Sequence, residues 1–137
     1  EDRVEDIKTS MENACSPYSK FNIYYNHFNA FPSTDYPKVL FFGLNEDKNT
    51  LINLQNDLEN ELYKAGFEKE DREYTPHLTF ARTRKKTDMR QLKYDYKDFI
   101  EKQDLRILQK VDKVSLIESQ LYKSGPVYKE LFSINLK

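Results

Sequence analysis

The hydrophobic period of this sequence switches between two and about 3.6 residues along its length, and the order of those switches limits the fold more than any other feature. "KFNIYYNHFNAF" (residues 20–31) has period-two character, with Phe21, Ile23 and Tyr25 on one side and Asn22, Tyr24 and Asn26 on the other. "PSTDYP" (32–37) is a turn with a proline at each end, and "KVLFFGL" (38–44) reads as a short buried strand. The two runs together predict an antiparallel hairpin. A helical stripe follows. Asn49 or Thr50 can cap it, Leu51, Leu54, Leu58, Leu62 and Ala65 fall on one face, and Gly66 stands where a helix C-terminal glycine belongs. A shorter stripe of Val4, Ile7, Met11 and Cys15 opens the chain and stops before Ser16-Pro17. A weaker one starts with Asp88 as its cap and runs through Met89, Leu92, Phe99 and Ile100. At the end, "KVDKVSLIESQL" and "VYKELFSINLK" flank "YKSGP" as a final hairpin. The pattern predicts an α+β fold of mostly antiparallel sheet with flanking helices, in one domain over residues 1–137.

Composition narrows the function classes. The 137 residues have a formal net charge of −1, so no global basic field points to duplex DNA. Aromatic residues make up 14% of the chain, with ten Tyr and nine Phe, too many for a disordered chain despite 33% charged residues. Cys15 stands alone, so there is no disulfide framework and no paired-cysteine metal or redox motif. No apolar run reaches the roughly 20 residues of a membrane span. These features fit a cytoplasmic enzyme or binding module, and a monomer is expected.

The stretch "EYTPHLTFAR" (73–82) carries the chemistry. One of only two histidines stands here, directly after a proline and inside a strand-like alternation. On a strand, His77, Thr79 and Ala81 share a face, while Leu78 and Phe80 share the other and are expected to anchor it in the core. Imidazole titrates near neutral pH and can take or give a proton, and a threonine hydroxyl can donate to a phosphoryl oxygen. Arg82, Arg84, Lys85 and Lys86 follow, concentrating positive charge beside the histidine, as an anionic substrate would require. Spacing alone leaves the plainer reading open: a half-buried histidine and a solvated cationic loop.

"EYTPHLTFARTR" resembles the second His-x-Thr motif of the two-histidine (2H) phosphoesterase superfamily, and within it the RNA 2',3'-cyclic phosphodiesterases, also called 2'-5' RNA ligases. "FNAFPSTDYPKVLFFGL", "LENELYKAGFEKEDREYTPHLTFAR" and "VDKVSLIESQLYKSGPVYKELFSINL" resemble further parts of that family in order and spacing, so the resemblance covers nearly the whole chain. It implies two pseudo-symmetric lobes around a cleft. It also implies metal-free, cofactor-free hydrolysis of terminal 2',3'-cyclic phosphates of RNA, with His77 as general base and Thr79 as phosphate binder. Arg82 matches a basic position after the motif, on the face opposite His77 unless the strand bulges. Arg84 and Lys85 are candidates for steering the RNA backbone, and Tyr74 and Phe31 for stacking a base.

The chain departs from the family in one respect. The family has two His-x-Thr motifs and this sequence has one, since His27 is followed by Phe28-Asn29. His27 is therefore read as structural. The expectation is that the sequence lacks an N-terminal part holding the first motif, and that the chain alone has little activity. A small cyclic nucleotide or an ADP-ribose cyclic phosphate as substrate, and a non-catalytic RNA-binding module, remain alternatives. A metal-dependent hydrolase is a poor one, because the two histidines lack ligand spacing.

Overall fold

The computed structural model describes residues 3–44, 48–91, 94–95, 98, 102 and 106–137. They include the helices α1 (Val4–Cys15) and α2 (Asn49–Lys64) and the strands β1 (Phe21–Tyr25), β2 (His27–Phe31), β3 (Val39–Gly43), β4 (His77–Arg82), β5 (Ile107–Val111), β6 (Lys113–Tyr122) and β7 (Gly125–Asn135). The chain divides into two compact units. One comprises residues 1–21, 50–73 and 110–137, the other 22–49 and 74–109.

The first unit holds both helices and the hairpin β6–β7. Cys15 of α1, Leu54 of α2 and Leu136 form its buried core, with Tyr18, Phe21, Leu58, Val111, Val114 and Ile134 packed around them. The expected stripes supply this core, and Met11 is buried with them. Helix α2 ends as its sequence predicts. Gly66 takes φ +96°, a conformation that costs a side-chain-bearing residue, so the N–H of Phe67 reaches the carbonyl of Leu62 and that of Gly66 reaches Tyr63. Arg3 donates to the carbonyl of Ala65 and lays its guanidinium 3.8 Å from the centre of the Phe67 ring, sealing the same helix end. β6 and β7 pair antiparallel around the two-residue turn Lys123-Ser124, with Tyr122 opposite Gly125 at φ +120°.

The second unit is built on a three-stranded antiparallel sheet in the order β2-β3-β4; β1 pairs with β5 in a separate two-stranded ladder. The run over 20–31 is therefore two strands, interrupted at Asn26, whose N–H bonds to the carbonyl of Gly43. The hairpin predicted over 20–44 is present as β2–β3, and its loop contains a cis Phe31-Pro32 bond and the fully buried Pro37. The described strands form three sheets, and the pairings β2–β3, β3–β4 and β6–β7 are antiparallel, as the sequence pattern predicts. Of the weaker helical stretch, Leu92, Phe99 and Ile100 lie outside the described residues.

Candidate active site

Pro76 cannot donate to a β ladder, and the ladder of β4 starts at the next residue, His77. Register then decides which side chains meet. Across the sheet, His27 pairs with Gly43 and Gly43 with His77; Asn29 pairs with Phe41 and Phe41 with Thr79; Phe31 pairs with Val39 and Val39 with Arg82. Directly paired residues project from the same face, so these nine form one face of the sheet. His77 and Thr79 share it, as the alternation predicts.

Strict alternation fails after Thr79. Phe41 opposes Thr79 but Leu40 opposes Ala81, which leaves Phe80 as an extra residue in β4. This β-bulge turns Ala81 away from the histidine face and brings Arg82 onto it. The sequence allows for such a bulge without showing it. The other face differs from expectation too. Phe80 lies 4.7 Å from Phe42 and 6.0 Å from Phe28 between ring centres, yet Leu78 and Phe80 remain 41% and 49% exposed rather than anchored in a core. The Phe28 and Phe42 rings pack against Phe80 on that side.

The His77 ring is exposed and held from two directions. Its Nδ1 lies 2.7 Å from the backbone carbonyl oxygen of Thr75. A carbonyl can only accept, so Nδ1 carries the proton and Nε2 is the atom left to exchange one. The ring also stands edge-on to Phe41 at 5.3 Å and to Phe31 at 5.7 Å, while Phe31 and Phe41 stack at 4.4 Å. Sequence reasoning passed over Phe41, which is 3% exposed and forms the floor beneath the imidazole. Thr79 is half-buried on the same face, about 6.5–7 Å along the strand from His77. Its β-branched side chain has few rotamers, and its hydroxyl makes no hydrogen bond among the described residues.

The cationic run divides by partner. Lys86 lies 4.7 Å and Arg90 5.5 Å from the centre of the Tyr36 ring. Arg90 also forks onto Asp88 at 2.8–3.2 Å, and this hydrogen bonding holds the Asp88 carboxyl down at about 2. Thr83 anchors the segment by donating from Oγ1 to the carbonyl of Pro37 at 2.7 Å and from its N–H to Lys38 at 3.0 Å. Arg82 and Arg84 are exposed and make no ion pair among the described residues. With Lys85, which is also exposed and makes no ion pair among the described residues, they are the cations left for an anionic ligand, and the bulge puts Arg82 on the histidine face.

The two aromatic candidates differ. Phe31, 40% exposed, is part of the ring cluster around His77. Tyr74 is 39% exposed, and burial, followed by the neighbouring Tyr25, pushes its phenol pKa up. The Tyr25 hydroxyl donates to Oε1 of Gln109 at 2.7 Å. Among the described residues, no three His, Cys, Asp or Glu side chains are grouped to hold a metal ion, and no helix is long and apolar enough to cross a membrane. An exposed imidazole with a fixed tautomer, a hydroxyl and a guanidinium on one sheet face can bind an oxyanion and move a proton at it.

Known proteins share this sequence pattern and fold. An Aeropyrum pernix RNA 2',3'-cyclic phosphodiesterase is 30% identical over 118 residues, covering 85% of this chain and 65% of the relative. One from Methanothermobacter thermautotrophicus is 30% identical over 134 residues, covering 96% and 69%. The chain thus spans about two thirds of the length of these relatives. Among solved structures, one from Thermus thermophilus superposes with a TM-score of 0.72 at 18% identity, over 99% of this chain and 71% of that one. Escherichia coli LigT complexed with 3'-AMP superposes with a TM-score of 0.63 at 15% identity, over 97% and 70%. These likenesses show a shared fold. The sequence pattern of the 2'-5' RNA ligase superfamily matches residues 1–122, and the chain belongs to that superfamily of 2H phosphoesterases.

Proposed function

We propose that this chain belongs to an RNA 2',3'-cyclic phosphodiesterase that opens terminal cyclic phosphates by acid–base chemistry at His77. The observation that carries the reading is the sheet face itself: an exposed imidazole pinned through Nδ1 to the Thr75 carbonyl, with Thr79 and Arg82 beside it. Relatives named for this activity support it. In the proposed reaction, Nε2 of His77 takes the proton of a water attacking the cyclic phosphorus, and the bond from phosphorus to one ribose oxygen breaks. The departing oxygen takes a proton from a second acid. Thr79 donates its hydroxyl to a phosphoryl oxygen, and Arg82 offers a guanidinium fork to the charge that grows in the transition state. Phe31 and Tyr74 offer exposed rings to a base, and Arg84 and Lys85 offer exposed positive charge to the RNA backbone. Residues 1–137 form most of one 2H-type domain, monomeric and cytoplasmic, with no metal or cofactor in the reaction.

That E. coli LigT was solved with 3'-AMP favours a second reading, in which a mononucleotide suffices as ligand. Initial rates on an RNA oligonucleotide ending in a 2',3'-cyclic phosphate, beside rates on a mononucleoside 2',3'-cyclic phosphate, separate the two. The assay uses the protein that carries this chain. Faster turnover of the oligonucleotide supports the first reading, equal turnover supports the second, and retention of RNA without turnover of either substrate would leave a binding module.

A further inference from the structure

The row His27–Gly43–His77 runs straight across the three-stranded sheet, with all three positions on the face that carries Thr79 and Arg82. Both of the chain's histidines therefore project from one surface, although they are 50 residues apart in sequence. The middle position has no side chain. A Cβ placed on Gly43 would lie 3.8 Å from Cδ2 of His27 and 3.6 Å from the Phe41 ring, so the His27 imidazole leans over the glycine toward β4. The outer strands are two strand spacings apart, about 9–10 Å. An oxyanion taking a hydrogen bond of about 2.8 Å from each side fits a gap of that order above a glycine, whereas a larger residue there would fill it.

We propose that His27 is a second imidazole of the anion-binding face, donating an N–H to an oxygen of the phosphoryl group that His77 and Thr79 hold. The inference rests on the function proposed above. His27 serves as a binding residue, with proton transfer left to His77. No His-x-Thr spacing marks it; the sheet register alone brings it to the site.

The test is calorimetric binding of 3'-AMP and, separately, of inorganic phosphate to the wild-type protein and to His27→Phe and His27→Gln, with thermal melting of each variant. His27→Phe should weaken both ligands about tenfold, the scale of one hydrogen bond to a charged group. His27→Gln keeps a donor and should stay within about threefold, which guards against reading a packing defect as lost binding. Unchanged affinity in a folded His27→Phe protein overturns the proposal while leaving His77 in its role. Weakened 3'-AMP with unchanged phosphate also overturns it, since His27 would then touch the nucleoside. Should wild-type protein bind neither ligand, this inference falls together with the functional reading.

Discussion

Arg82 stands on the same sheet face as His77, although simple alternation over the five steps between them would put the two on opposite faces. The extra residue Phe80 reverses the parity: Thr79 faces Phe41, Ala81 faces Leu40 and Arg82 faces Val39. Replacing Arg82 with alanine should therefore raise KM for a cyclic-phosphate RNA end about tenfold or more, through loss of a charge-assisted contact. Arg82→Lys should recover part of the loss, because it keeps the charge and loses the fork. If Arg84→Ala weakens binding and Arg82→Ala does not, the assignment of Arg82 to the site is wrong.

Removing the imidazole separates chemistry from folding. His77 is exposed, and its ring is held by the Thr75 carbonyl and by edge contacts with Phe31 and Phe41, so His77→Ala should lower the melting temperature by only a few degrees. If His77 transfers a proton, kcat should fall by about 10²–10⁴-fold with KM within a small factor. Thr79→Ala should cost about 1.5–3 kcal/mol of transition-state binding, and Thr79→Ser less, since serine keeps the donor. A folded His77→Ala protein with undiminished kcat would remove His77 from the mechanism.

The elements that local chemistry controls were legible in the sequence. Gly66 marks the end of α2 because only a positive φ lets the last turn close its hydrogen bonds, and the final hairpin is marked by its turn residues. His77 and Thr79 were legible because a period of two is a local property of a strand. What could not be read depends on partners distant in sequence. The bulge at Phe80 exists only relative to β3, and with it the place of Arg82. The row that joins His27 to His77 needs the register of two ladders, which no local pattern encodes. Leu78 and Phe80 have core-like chemistry and exposed positions, and hydrophobicity alone does not say whether a face is covered.

Burial separates two leucines of identical chemistry. Leu54, 2% exposed within the core of the first unit, should cost about 2–5 kcal/mol when cut to alanine. Leu78, 41% exposed, should cost well under half of that, since little apolar surface leaves the interior. Urea titrations of both variants measure the difference. Equal losses would mean that the Leu78 face is covered in solution.

Tyr18 gives the fold a pH dependence that can be isolated. Its hydroxyl donates to Oδ2 of Asp57 on α2, and burial together with this bond pushes the phenol up to about 12. The folded pKa lies above the ordinary phenol value near 10, so the fold favours the protonated form. The resulting stabilisation is fully present below about pH 10 and is lost as pH rises through about 12. Tyr18→Phe removes the donor and leaves the Asp57 carboxylate without it, at a cost of about 1 kcal/mol near neutral pH. The lysines and the other tyrosines titrate alike in both proteins, so the difference in unfolding free energy between wild type and variant isolates this phenol. That difference should hold steady from pH 7 to 10 and then shrink toward pH 12. A difference that stays constant across the alkaline range would show that the Tyr18–Asp57 bond does not form in solution.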